Sequence, residues 1–312
     1  MLALVADPNA PAGVRPDRVA PPRSRPDQAL VEVRHVSMNF GELKHLAGRQ
    51  PGAVLGYDAS GVVVAAAIDG SGPPVGARVV AFGPGAWAQR AAFAIADLAE
   101  VPPGVDLAGA AALPMAGMTA LRTLRAAGPL LARRVLITGA SGGVGRIAVQ
   151  LARRAGAHVV AAVGSPGRGE GLAELGAHEV VTGLDGIEPV DVVLETVGGA
   201  HLVAAWNLLR PGGNLQSIGW VVDEPAVFPP NSIFSPGPAR TLHSFGDATA
   251  VGPDLAVLVG LVAAGELSPP VGWRGGWERV AEAATELYGR RVAGKVVLDV
   301  PVADGAVSVA EG

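Results

Sequence analysis

The run Val135-Leu136-Ile137-Thr138-Gly139-Ala140-Ser141-Gly142-Gly143-Val144-Gly145 constrains this chain more than any other feature. An apolar, β-branched strand leads directly into a glycine turn spaced GxxGxxG (Gly139, Gly142, Gly145), and a helix pattern opens at Val144. Glycines at a strand-to-helix junction let the backbone turn sharply and come close to a ligand. The first N–H groups of the helix lack intrahelical acceptors and sit at its positive end, so the turn suits a diphosphate. The alternative is a tight βα turn that binds nothing.

The surroundings support the first reading. From Met118 onward the periodicity predicts helix 119–127, strand 134–138, helix 144–155, strand 158–163, a helix near 171–175, strands 179–182 and 191–196, helix 202–209 and strand 214–218. Strand and helix taking turns implies crossovers, hence a doubly wound parallel sheet of the α/β class. Residues 1 to about 115 read instead as short strands, 29–35 and 59–67 among them, punctuated by Gly and Pro. The last sixty residues show helices at 254–264 and 277–288 and a closing strand at 295–300, so the chain is expected to return to its first domain. The expected division is 1–117 with 253–312 for one domain and 118–252 for the other; at 312 residues two cores are the natural expectation. Residues 303–312 are small and polar and are expected to be loose.

Composition removes several classes. With no cysteine, disulfides and thiolate metal sites are excluded. A net charge of −4 without a Lys/Arg run argues against nucleic acid, which is bound through clustered cations. The longest apolar stretch, 255–264, falls short of the ~20 residues a bilayer span needs. Asp7 and the Pro/Arg-rich segment 11–26 stand where a secretory signal would carry a basic flank and an apolar core. A soluble, cytoplasmic protein with a small-molecule partner is expected. The six histidines form no i, i+4 ligand pair, and no metal site is expected.

About twenty residues past the glycines, an NAD enzyme presents Asp or Glu to the ribose 2′-hydroxyl. Here the place is held by Gly164-Ser165-Pro166-Gly167-Arg168. A hydroxyl and a guanidinium, with no carboxylate to repel a 2′-phosphate, favour NADPH; the alternative leaves Arg168 an ordinary loop residue.

Further motifs recur in a characteristic order: Ser37-Met38-Asn39, Leu55-Gly56-Tyr57-Asp58-Ala59-Ser60-Gly61, Ala111-Ala112-Leu113-Pro114 with Gly117-Met118-Thr119-Ala120, the glycine cluster, Glu195-Thr196-Val197-Gly198-Gly199, Leu209-Arg210-Pro211-Gly212-Gly213 and Gly294-Lys295-Val296-Val297-Leu298. Together they resemble the quinone oxidoreductase and enoyl reductase branch of the medium-chain dehydrogenase/reductase superfamily, over nearly the whole chain. The resemblance implies a GroES-like, partly open β-barrel catalytic domain built from both chain ends, a Rossmann domain inserted between them, a substrate cleft where they meet, and a homodimer paired through the edge strands of the cofactor domains. The zinc-containing branch holds its metal with two cysteines and the histidine of a Gly-His-Glu motif; this chain has Gly56-Tyr57-Asp58 there. The implied chemistry is metal-free hydride transfer to an enone, quinone or enoyl thioester.

The resemblance also assigns roles. Asn39, in Asn39-Phe40-Gly41-Glu42-Leu43-Lys44, is the first choice to polarise the acceptor oxygen. Lys44 stands where the family often has Tyr, and either it or Tyr57 could donate the proton; a surface lysine and a packed tyrosine are the bland alternatives. Thr119 is expected near the nicotinamide or its ribose, with Val197, Gly198 and Gly219 lining the cofactor beside the diphosphate residues Gly139, Ser141, Gly142, Gly143, Val144 and Gly145. The segment 228–236 is read as part of the substrate mouth or a rigid connector. Two rivals stay open. Gly139-Ala140-Ser141-Gly142-Gly143 also satisfies GxSxG, which would make Ser141 a hydrolase nucleophile followed by Asp191 or Asp223 and His243. The other rival is a non-catalytic NADPH-binding protein on the same fold.

Overall fold

A computed structural model describes residues 1–234 and 236–302, and divides into two compact units. One comprises residues 1–115 with the chain from 249 onward; the other comprises residues 116–248.

In the first unit, β1 (Leu2–Ala6) pairs antiparallel with β2 (Val14–Arg18). The eleven-residue β3 (Gln28–Met38) is the hub of a seven-stranded sheet. It leads into the short helix α1 (Phe40–Lys44), then β4 (Asp58–Ala65), β5 (Arg78–Phe82), β6 (Arg90–Ala94), β7 (Leu98–Glu100) and the helices α2 (Leu107–Ala111) and α3 (Pro114–Ala126), the last crossing into the second unit. Burial alternates along β6 because only one of its faces meets the core. Trp87, Phe93, Met38 and Leu4 are fully buried there. Trp87 donates its indole N–H to the Ser37 carbonyl at 3.2 Å. Gly56 has φ +86°, and a Cβ on it would lie 1.9 Å from the Trp87 ring, so this glycine of the Leu55-Gly56-Tyr57 motif has a packing reason.

The second unit contains β8 (Arg134–Ile137), α4 (Gly143–Arg154), β9 (His158–Val163), β10 (Glu179–Thr182), β11 (Val190–Glu195), α5 (Gly199–Asn207), β12 (Leu209–Ser217) and β13 (Thr241–Ser244). All six strands are parallel, in the order β10-β9-β8-β11-β12-β13. This is the doubly wound arrangement, with its switch point between β8 and β11. Leu136, Val160, Val193, Leu215 and Trp206 form its core. The chain then adds α6 (Gly252–Ala263), β14 (Val271–Gly276), α7 (Val280–Tyr288) and β15 (Lys295–Asp299) to the first unit. β15 pairs antiparallel with β3, so both chain ends build one sheet.

Two expectations need correction. Residues 171–175 are turns preceded by a single 3-10 turn at Pro166–Gly169, because Gly171 at φ +75° and Gly176 at φ +109° bracket too few residues to sustain a helix. The helix expected from 277 begins at Val280, after a 3-10 turn at Trp277–Arg279. β13, at 241–244, lies where no strand was expected, and all four of its residues are exposed. Residues 303–312, expected to be loose, lie outside the described residues, and Ser235 of the segment 228–236 does as well. Among the described residues no helix is long and apolar enough to cross a membrane.

Candidate functional site

In the second unit the glycine turn leaves the C-terminal end of β8, at the switch point where such sheets bind ligands. Gly139 sits at φ +58°, and a Cβ there would lie 2.3 Å from Thr196 Oγ1. Gly142 caps α4 in extended conformation without a side-chain hydrogen bond. The N–H groups of Gly143, Val144 and Gly145, in the first turn, therefore have neither intrahelical acceptors nor a capping side chain. A Cβ on Gly145 would lie 2.5 Å from Ala140 Cα, so the absent side chain lets the helix start against the turn. Ser141 is buried in the same bend. These residues form a cradle of open amides, which fits a dinucleotide diphosphate.

The neighbouring strand ends are tied by a network that motif reading missed. The buried Glu195 carboxylate accepts N–H groups from Val197 at 2.9 Å and Gly198 at 3.0 Å, and the Thr138 hydroxyl at 3.1 Å. Burial pushes its pKa up against the opposing pull of those hydrogen bonds. Glu195 thereby shapes the bend at Val197 and Gly198. Gly198, at φ +83°, leaves room for the half-exposed Trp220 indole, which a Cβ would approach to 2.7 Å. Gly219 backs onto the Thr196 carbonyl. Gly164 follows β9 in open space, and Ser165 begins the 3-10 turn that carries Arg168. A second cation was also missed: Arg146, in the first turn of α4, donates to the Ser141 carbonyl at 3.4 Å and to the Glu170 carbonyl at 2.6 Å, bridging the glycine turn and the Arg168 loop. Thr119 is buried in α3, its carbonyl accepting the Thr123 hydroxyl at 2.7 Å.

One of the two acids of the hydrolase alternative, Asp191, is out of reach of Ser141. Asp191 lies at the N-terminal end of β11, opposite the end where Ser141 stands, and is engaged by the Arg134 N–H at 2.8 Å and by Arg210 at 3.1 Å. His243 is exposed on β13.

In the first unit, strand register assembles a second cluster. Ser37 of β3 faces Asp58 of β4, and Met38 of β3 faces Val296 of β15. Asn39, Asp58 and Lys295 therefore meet at one end of the sheet although Asn39 and Lys295 are 256 residues apart. Lys295 Nζ donates to the Met38 carbonyl at 3.0 Å, to Asp58 Oδ2 at 3.0 Å and to Asn39 Oδ1. Asn39 Nδ2 donates to Asp58 Oδ2 at 3.0 Å, and Asp58 Oδ1 accepts the Met115 N–H at 3.1 Å. Glu42, third residue of α1, accepts the Asn39 N–H at 2.6 Å in a capping box, and its Oε1 is sealed from solvent without a hydrogen-bond partner. Burial first, and the nearby Asp58 carboxylate second, push the Glu42 pKa up to about 8.

The other two candidates are Tyr57 and Lys44. Tyr57 immediately precedes β4; its ring stacks on Phe82 with centroids 5.5 Å apart, and its hydroxyl oxygen accepts an Arg49 N–H at 2.9 Å, leaving the phenol proton available to donate. Lys44 closes α1, its charge in the last turn of the helix.

Known proteins resemble this chain in sequence and in fold. Residues 25–110 match the family described as alcohol dehydrogenase GroES-like domain, and residues 143–250 match the family described as zinc-binding dehydrogenase. The chain is 34% identical to erythronolide synthase EryA2 of Saccharopolyspora erythraea over 92% of its own length and 8% of that protein. It spans about a tenth or less of the polyketide synthases it matches. It is 28% identical to 2-haloacrylate reductase of a Burkholderia species, over 88% of this chain and 91% of that one. The quinone oxidoreductase structure from Coxiella burnetii superposes with a TM-score of 0.84 at 25% identity, covering 96% of this chain and 99% of that one. The zinc named in one family description does not fit the residues here: the side-chain donors at the Gly56-Tyr57-Asp58 corner are oxygens, and of these Asp58 Oδ2 already accepts from the Lys295 ammonium and the Tyr57 hydroxyl from Arg49. The chain belongs to the medium-chain dehydrogenase/reductase superfamily, in its zinc-independent quinone oxidoreductase and enoyl reductase branch.

Proposed function

We propose that this protein is an NADPH-dependent reductase of small molecules that carry an activated carbon–carbon double bond or a quinone. The observation that carries the reading is the amide cradle at the switch point of the second unit, followed at the end of β9 by Ser165 and Arg168 with no carboxylate. In this reading residues 118–252 hold the cofactor, and residues 1–117 with 253–312 supply the catalytic groups. Bound there, NADPH would supply a hydride to the electron-poor carbon. The residues of the chain do the rest. The amides of Gly143, Val144 and Gly145 take the diphosphate, Ser165 and Arg168 the 2′-phosphate, while Thr119, Val197, Gly198 and Gly219 line the nicotinamide end. Asn39 donates a hydrogen bond to the acceptor oxygen, which gathers charge as the hydride arrives. Tyr57 or Lys44 returns the proton that completes reduction.

Similarity to a 2-haloacrylate reductase supports an electron-poor double bond as the acceptor. The exposed edge strand β13, whose backbone groups a second copy could pair, supports the reading of a homodimer, for which sedimentation is expected to give a particle of twice the chain mass.

The test is consumption of NADPH against a panel of quinones, enones and enoyl thioesters. Turnover on at least one is expected; saturable binding without turnover on any would leave a cofactor-binding protein only. Arg168→Ala is expected to raise the KM for NADPH roughly 10- to 100-fold, the worth of one charge-assisted hydrogen bond, and to leave that for NADH nearly unchanged. Equal effects on both cofactors would remove Arg168 from the phosphate site.

A further inference from the structure

The buried pair Asp58 and Lys295 has no part in the chemistry above, yet its geometry acts on the residue placed at the acceptor oxygen. A lysine ammonium has three N–H donors, and all three are spent: on the Met38 carbonyl, on Asp58 Oδ2 and on Asn39 Oδ1. Asp58 is equally committed, Oδ2 accepting from Lys295 and Asn39, and Oδ1 from the Met115 N–H. Both residues are shut away from solvent, at 3% and 0% exposure, whereas Asn39 is only half-buried. The Asn39 amide is thus gripped from the interior by a cation on its oxygen and an anion on its nitrogen. Turned over, it would set its NH₂ against the ammonium and its oxygen against the carboxylate, losing two charge-assisted hydrogen bonds and gaining two repulsions.

We propose that Lys295 and Asp58 are positioning residues that lock the Asn39 amide in one orientation, keeping a nitrogen-bound hydrogen, rather than the amide oxygen, toward the acceptor. The proposal rests on the reading of Asn39 as the group that polarises the acceptor. One of the two Nδ2 hydrogens is held by Asp58. The other is the donor that remains, with the Glu42 carboxyl, which the Asn39 side chain also stabilises, as its competitor inside the protein. An amide free to flip would present a donor part of the time and an oxygen lone pair otherwise, repelling the enolate or quinol oxygen as it becomes negative.

The test is a mutant cycle among Asn39→Ala, Lys295→Met and the charge-neutral pair Asp58→Asn with Lys295→Met. The pair leaves no unbalanced buried charge, so it keeps the test available if the single lysine variant fails to fold. Asn39→Ala is expected to lower kcat by about 100-fold with little change in the KM for NADPH. The neutral pair is expected to lower kcat about tenfold or more through mispositioning alone, and to cause no further loss when Asn39 is already alanine. A merely structural role would lower thermal stability but leave the two kcat losses multiplicative. Multiplicative losses, or a folded neutral pair with the kcat of the parent, overturn the proposal. An Asn39→Ala enzyme with unchanged kcat overturns the reading of Asn39 itself, which is a different result.

Discussion

Gly145→Val is expected to abolish dinucleotide binding and to destabilise the second unit. A Cβ at this position would lie 2.5 Å from Ala140 Cα and 2.7 Å from both the carbonyl carbon and oxygen of Ala140. These are backbone atoms, so no rotamer change can relieve the clash, and α4 must lift away from the turn. Overpacking of this kind costs about 1–3 kcal/mol, and valine adds two further carbons to the overlap. The displaced helix also carries the amides of Gly143 and Val144 away from the position where a diphosphate would meet them. Each hydrogen bond to a charged group contributes roughly 1.5–3 kcal/mol, so losing two weakens NADPH by about 100-fold or more. Thermal unfolding and NADPH titration check both parts. Gly164→Ala is the control: it has no backbone atom within 4 Å of the added carbon, and its fold should be unaffected. A Gly145→Val protein with the melting point and NADPH affinity of the parent would contradict the packing argument.

Glu42→Gln is expected to stabilise the protein in alkaline solution and to do almost nothing in acid. The native carboxyl titrates at about 8, against 4.5 in an unconstrained chain. Between those values the native state keeps a proton that the unfolded state has released. The stability this proton confers is fully present below 4.5 and is lost as pH rises to 8, at about 1.4 kcal/mol per pH unit. Glutamine carries no such dependence, and its side-chain oxygen can still accept the Asn39 N–H. Over the interval from 4.5 to about 8 this amounts to a gain on the order of 5 kcal/mol at pH 9 relative to pH 4. Melting curves of both proteins across that range are the check. Curves that run parallel at every pH would show that Glu42 is ionised in the native protein at neutrality.

What could be read before the structure was what is local in the chain. The cofactor cradle is one strand, one turn and one helix start within eleven consecutive residues, and the glycines announce its geometry. The Asn39 network was hidden because it depends on the register of β3 with β4 and β15, which no local pattern specifies. Asp58 and Lys295 each belonged to a recognised motif, but only their burial together shows that they grip Asn39. Glu195 and Arg146 were hidden similarly, since their partners are mainly backbone groups brought close by the turn. β13 escaped because Thr241, Leu242, His243 and Ser244 are all exposed and show no alternation; its pairing with β12 alone makes it a strand. The helix expected near 171–175 failed because Gly171 adopts a left-handed conformation and interrupts the periodicity of its neighbours.

Hydride delivery from a nicotinamide held at the β8 turn, without a metal, leaves an isotopic signature in the product. The most direct measurement incubates chelator-treated protein with an α,β-unsaturated ketone and NADPH carrying deuterium at the transferable C4 position, then reads the product by mass spectrometry and NMR. Deuterium at the β-carbon, in step with NADPH consumed and unchanged by added zinc, is the result predicted. Product without deuterium, or reduction that begins only when zinc is restored, would contradict it.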